Sequence, residues 1–115
     1  MLRILGLAGV SVLLIAASPP PEVQKAFKGT IVSTYPDGRI GKLWMRPDGT
    51  FTSQGRRHEY HHGRWSVKGE KVCFRRGLFG YCTKIPGDTS FTTRAVTGET
   101  IQVRLTPGRA GETAG

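Results

Sequence analysis

From Lys28 onward, apolar side chains recur at every second position in short runs, and the runs are separated by glycine, proline and aspartate. Ile101, Val103 and Leu105 alternate with Gln102, Arg104 and Thr106; Val72 and Phe74, then Phe79 and Tyr81, keep the same period. A period of two belongs to a strand with one buried face, and no run has the period of an amphipathic helix. Pro36-Asp37-Gly38 and Pro47-Asp48-Gly49 are near-copies of one turn, in which proline presets φ, aspartate bonds the backbone ahead and glycine accepts positive φ. Further breaks fall at His62-Gly63, Lys68-Gly69, Gly77-Leu78, Pro86-Gly87-Asp88, Thr97-Gly98 and Pro107-Gly108. They predict strands at 28–35, 39–46, 50–57, 63–67, 70–76, 79–85, 90–96 and 100–106. The expected fold class is all-β: an antiparallel meander of about eight short strands, forming a small up-and-down barrel or a two-sheet sandwich. A Pro-rich lead at 19–27 precedes this β-domain at 28–106, and a flexible, glycine-rich tail is expected at 107–115.

The middle of the chain predicts a register. With Lys68-Gly69 as a two-residue turn, Trp65 opposes Val72; with Gly77-Leu78 as another, Phe74 opposes Tyr81 and Cys73 opposes Cys82. Trp65, Val67, Val72, Phe74, Phe79, Tyr81 and Ile85 then share the core face, and Lys71, Cys73, Arg75, Cys82 and Lys84 share the outer face. The two cysteines fall at a non-hydrogen-bonded position, where opposed residues approach most closely, so a cross-strand disulfide is expected. The second strand is ambiguous, because Leu43 and Met45 oppose Ile40 and Trp44; an exposed Trp44 would be a contact residue.

Met1 to Ser18 has a basic start, an apolar run from Ile4 to Ile15 and small residues at Ala16-Ala17-Ser18. This is the plan of a secretory signal peptide, with cleavage expected after Ser18 and a periplasmic or secreted mature protein. The run is shorter than the roughly 20 residues that cross a bilayer. A disulfide suits that compartment.

Formal net charge is +9 at pH 7, and loss of the leader removes only Arg3 among charged residues. For an exported chain the excess points to an anionic envelope polymer, lipid head groups or a protein, with no nucleic acid expected. The candidate binding surface comprises Arg56, Arg57, Arg64, Lys71, Arg75, Arg76 and Lys84, with Trp44.

His58-Glu59-Tyr60-His61-His62 contains the H-E-x-x-H string of zinc proteases, whose chemistry needs a helix to bring both histidines to one face. Gly55 and Gly63 bracket the string and no apolar stripe would dock a helix, so the residues are read as a polar loop. His58, His61 and His62 remain a possible surface metal site, and a metal-dependent hydrolase through His58, Glu59 and His62 is the remote alternative. No nucleophile elbow, phosphate loop or paired carboxylates accompany it. The chain therefore reads as a non-enzyme without a cofactor, a monomeric binding module, with a small apolar-ligand carrier as the alternative.

Gly63-Arg64-Trp65-Ser66-Val67-Lys68-Gly69-Glu70-Lys71-Val72-Cys73, followed by Tyr81-Cys82, resembles a signature of small exported bacterial β-proteins of uncharacterised function. The G-x-W element is also similar to that of lipocalin and avidin-type barrels. There it lies in the first strand and here it is mid-chain, so no pocket residues carry over. The resemblance implies a bacterial, periplasmic β-domain and no activity.

Overall fold

The computed structural model describes residues 19–87 and 90–112, and the expected signal peptide lies outside the described residues. A short helix α1 (Pro21–Ala26) is followed by β1 (Gly29–Thr34), β2 (Ile40–Met45), β3 (Thr50–Gln54), β4 (Tyr60–Lys68), β5 (Lys71–Arg76), β6 (Phe79–Thr83), β7 (Phe91–Arg94) and β8 (Thr100–Pro107). All eight strands belong to one antiparallel sheet, in the order β6-β5-β4-β3-β2-β1-β8-β7. The two-sheet sandwich gives way to this single curled sheet. It is an up-and-down barrel sealed where β1 meets β8 and left open between β6 and β7, a half-barrel.

Four hairpins use one connection. In each, the first loop residue's amide bonds the carbonyl four residues on, and the fourth residue's amide bonds back to the first carbonyl: Tyr35 to Arg39, Arg46 to Thr50, Gly55 to Glu59 and Ala95 to Glu99. This three-residue loop requires a left-handed residue just before the returning strand. Gly38, Gly49 and Gly98 supply it at φ 87°, 89° and 96°, but the third loop places His58 there at φ 68°. A side chain in that conformation costs about 1–2 kcal/mol, whereas glycine's extra freedom in the unfolded chain costs about 0.5–1 kcal/mol. His58→Gly should therefore raise the urea midpoint at unchanged slope; a lower midpoint would mean that the imidazole makes a contact outweighing the strain.

The β4–β5 register departs from expectation by an even step. Val67 opposes Val72 and Trp65 opposes Phe74, because the turn is Gly69-Glu70 and not Lys68-Gly69. Gly69 has φ 62°, which suits the first central position of a type II′ turn and would be unfavourable for Lys68. A shift of two residues leaves every side chain on its expected face. Across β5–β6 the expected pairs Phe74 with Tyr81 and Cys73 with Cys82 are present.

The core fills the concave side near α1, where Phe51 meets Phe74 edge-on at 5.2 Å and Phe27 lies 5.8 Å from Trp65. It also takes in Met45, Val72, Ile101 and Val103. The Pro-rich lead contributes to it: Pro21 opens α1, where its missing N–H costs nothing, and Val23 and Ala26 are buried at the barrel end. Six residues are too few for a helical period to show in the sequence.

The segment expected as a flexible tail is tied across the convex face through its described part. Pro107 belongs to β8, and Thr30 Oγ1 donates to the Gly108 carbonyl at 2.8 Å. Arg109 donates to the carbonyls of Phe27 and Met45 and to Glu112. Arg46 donates to the same carboxylate at 2.8 Å. Arg109 foremost, and then Arg46, hold the Glu112 carboxyl below the usual carboxylate range. This strap covers Trp44, whose indole N–H donates to Thr30 Oγ1 at 2.9 Å and whose ring stacks with Tyr60 at 6.4 Å.

Candidate binding surfaces

The H-E-x-x-H string occupies a hairpin tip and the start of β4, where alternation sends its histidines to different places. His58 sits in the turn. His61 faces the concave side, its Nδ1 accepting from Arg76 at 2.6 Å and its Nε2 lying 3.7 Å from Glu59. His62 faces the convex side with Nδ1 3.1 Å from Thr52 Oγ1. The polar loop expected here is thus a strand from Tyr60 onward. The Glu59 carboxyl is held low mainly by its own backbone amide and, after that, by the Arg57 amide. Among the described residues, no three histidine, cysteine or acidic side chains gather as a metal site.

The cationic residues divide into two groups. Lys84 lies past the end of β6 and lines a cleft on the concave side, whereas Arg64, Lys71 and Arg75 share the convex face of β4 and β5, joined by Lys68, which sequence reasoning places in the turn. Cys73 and Cys82 lie between them, bridged with Cα atoms 3.9 Å apart, the close approach of a non-hydrogen-bonded pair. Arg64 directly opposes Arg75, and Lys68 directly opposes Lys71. Like charges in that relation destabilise a sheet. Among the described residues none of these four convex-face cations is paired with a carboxylate. Asp48 is held low first by Thr50, with smaller help from Arg46 and Arg64, at the margin of this platform.

Arg56, Arg57 and Arg76 lie elsewhere. Arg56 stacks on the Tyr35 ring at 4.0 Å and reaches Glu99 at 3.0 Å and Asp37 at 3.9 Å, drawing three hairpin tips together at the end opposite α1. Arg57 is an exposed turn residue. Arg76 faces the concave side, 5.5 Å over the Phe79 ring. Trp44 belongs to neither group. Its expected exposure is corrected by the strap: Leu43, Trp44 and Met45 are all buried, with Trp44 at 0% exposure, so both faces of β2 are covered.

The concave side holds a cleft of about 410 Å³ between the unpaired edges of β6 and β7. Its floor is Ile31, Leu43, Phe74, Ile101 and Val103, and its β6 wall is Phe79 and Tyr81. These last two, predicted as core, retain 49% and 41% exposure because no strand lies across from them. Burial foremost, and then the Tyr35 phenol, push the Tyr81 pKa up to about 12. Tyr81 thus forms part of the cleft wall while keeping exposed surface. Among the described residues no helix is long and apolar enough to cross a membrane.

Comparison finds no matching family model, no similar curated protein and no similar solved structure.

Proposed function

We propose that this protein is an exported, non-enzymatic binding module that lays the convex face of β4–β6 against an anionic surface of the cell envelope. The reading rests on one observation: two like-charged pairs, Arg64 with Arg75 and Lys68 with Lys71, stand directly opposed without a carboxylate partner. Such pairs weaken the sheet on their own and become favourable when an oxyanion bridges them. Only small side chains, Ser66, Gly80 and the bridged cysteines, stand between them on this face. Export is supported by the Met1–Ser18 pattern and by the disulfide.

Cosedimentation with phosphatidylglycerol vesicles and with phosphatidylcholine vesicles tests this. Binding is expected to the anionic vesicles alone at low salt, and to vanish near 1 M salt, where screening acts over about 3 Å. Each cation near such a surface is worth about 1 kcal/mol, so the triple variant Lys68→Ser, Lys71→Ser, Arg75→Ser should bind about a hundredfold more weakly, whereas Arg57→Ser should bind like the wild type. Equal binding of the triple variant would sink the proposal, as would no binding at low salt.

A further inference from the structure

The cleft between β6 and β7 is the opposite of the platform in character: apolar along its floor and charged at one end. Consecutive hairpins place the tips of β1–β2, β3–β4, β5–β6 and β7–β8 at the end away from α1, so the polar residues Tyr35, Arg56, Glu59, His61 and Arg76 cluster there. The apolar floor runs from them toward α1. Its volume of about 410 Å³ lies within the range of about 300–1,000 Å³ typical of small-molecule sites.

Charge within the cleft is unevenly satisfied. Arg56 is held by Glu99 and Asp37, and Glu59 lies beside His61 and the Arg57 amide. Arg76 has no carboxylate partner among the described residues: it donates to His61 Nδ1, lies over the Phe79 ring and is near the Tyr81 phenol. A guanidinium has five N–H donors, so most remain free. The hydroxyls of Ser33, Ser53, Tyr35 and Tyr81 line the same cleft, and among the described residues none donates to another protein group. The Tyr81 phenol, like any tyrosine hydroxyl at neutral pH, is a neutral donor.

From this we infer that the cleft is a second binding site, for a single-chain amphiphile with an acidic head. The head is held by Arg76, and the chain lies over Ile31, Leu43, Phe74 and Val103 in the gap where a closed barrel would have its last ladder. Carboxylate and phosphate heads share the chemistry that Arg76 recognises. The apolar floor excludes a short polar acid, and Arg76 together with the free hydroxyls disfavours a pure hydrocarbon.

Displacement of a dansyl-labelled long-chain carboxylic acid from the full-length, disulfide-bonded protein tests the inference, with decanoic acid, decyl phosphate and decanol as competitors. At least one acid should displace the probe about tenfold better than decanol, since a hydrogen bond to a charged group is worth about 1.5–3 kcal/mol. The two acids in parallel show which head is preferred. Arg76→Gln should lower affinity for that acid by about tenfold or more and leave decanol unchanged. Thr93→Phe, on the open edge strand, should block every competitor while near-ultraviolet circular dichroism shows the fold intact. The Lys68, Lys71, Arg75 triple variant should bind the acid as before, which separates this site from the platform. Equal affinity for acids and decanol, no displacement, no effect of Arg76→Gln, or loss of acid binding in the triple variant each overturns it.

Discussion

Trp44→Ala is expected to destabilise the protein by about 3–5 kcal/mol, the range for removing a large aromatic side chain from a core. Trp44 has no exposed surface, lies under the 108–112 strap, stacks on Tyr60 and donates to Thr30. Alanine would leave a void on the convex side that the sheet cannot close, because β2 is fixed between β1 and β3 by ladders on both edges. Trp44→Phe keeps most of the volume and should cost less, losing mainly the indole hydrogen bond and part of the packing. Urea unfolding at constant slope reads both values. A loss under about 1 kcal/mol for alanine is what a surface tryptophan would give, and it would remove the strap from the account of this fold.

The second large effect belongs to the disulfide. The double variant Cys73→Ala, Cys82→Ala should lose about 2–3 kcal/mol, as the chain-entropy account gives for a short closed loop. The loss should be local. β6 has a ladder on one side only, its inward residues Phe79 and Tyr81 are half exposed, and its neighbour β5 carries the like-charged pairs. Without the bridge, hydrogen exchange should accelerate in β6 and the outer part of β5, while β1, β2, β3 and β8 retain their protection. Acid binding in the cleft should weaken with it, since β6 is one wall. An unchanged midpoint, or uniform acceleration across the sheet, would contradict this assignment.

Much of the architecture was legible because period-two alternation and turn chemistry are local. The two Pro-Asp-Gly turns, the ends of β2, β5 and β8, and the pairing of Cys73 with Cys82 follow from residues adjacent in sequence. The turn at His58 is not legible, because its loop, Gly55 to Glu59, lacks at position 58 the glycine that marks the other three copies, so the start of β4 reads as loop. The strap was invisible for a different reason: Arg109 and Glu112 act on Phe27, Met45 and Arg46, partners that lie far away in sequence. Without the strap, the apolar residues on both faces of β2 have no local explanation, and an exposed Trp44 reads as a candidate contact residue. The shared outer face of Lys71 and Arg75 is legible, because the alternation that separates them from Val72 and Phe74 survives an even shift of register. The open cleft is not. Strand number sets the size of a barrel, but whether β6 meets β7 depends on the connection through Ile85, Pro86 and Gly87, and no alternating pattern reports on that.

The order of the strands also has a consequence for how the chain assembles. Six ladders join strands that follow one another, and their contacts can form from short loops on the timescale of a hairpin, about 1–10 μs. The seventh joins Gly29 to Pro107 and Thr34 to Gln102, the two ends of the domain. Loop-closure entropy grows with the logarithm of the separation, so the topological cost of the fold is concentrated in this one ladder. A chain emerging from its N-terminus can complete β1 through β6 as a meander, yet β1 waits for the last hairpin before it gains its second neighbour.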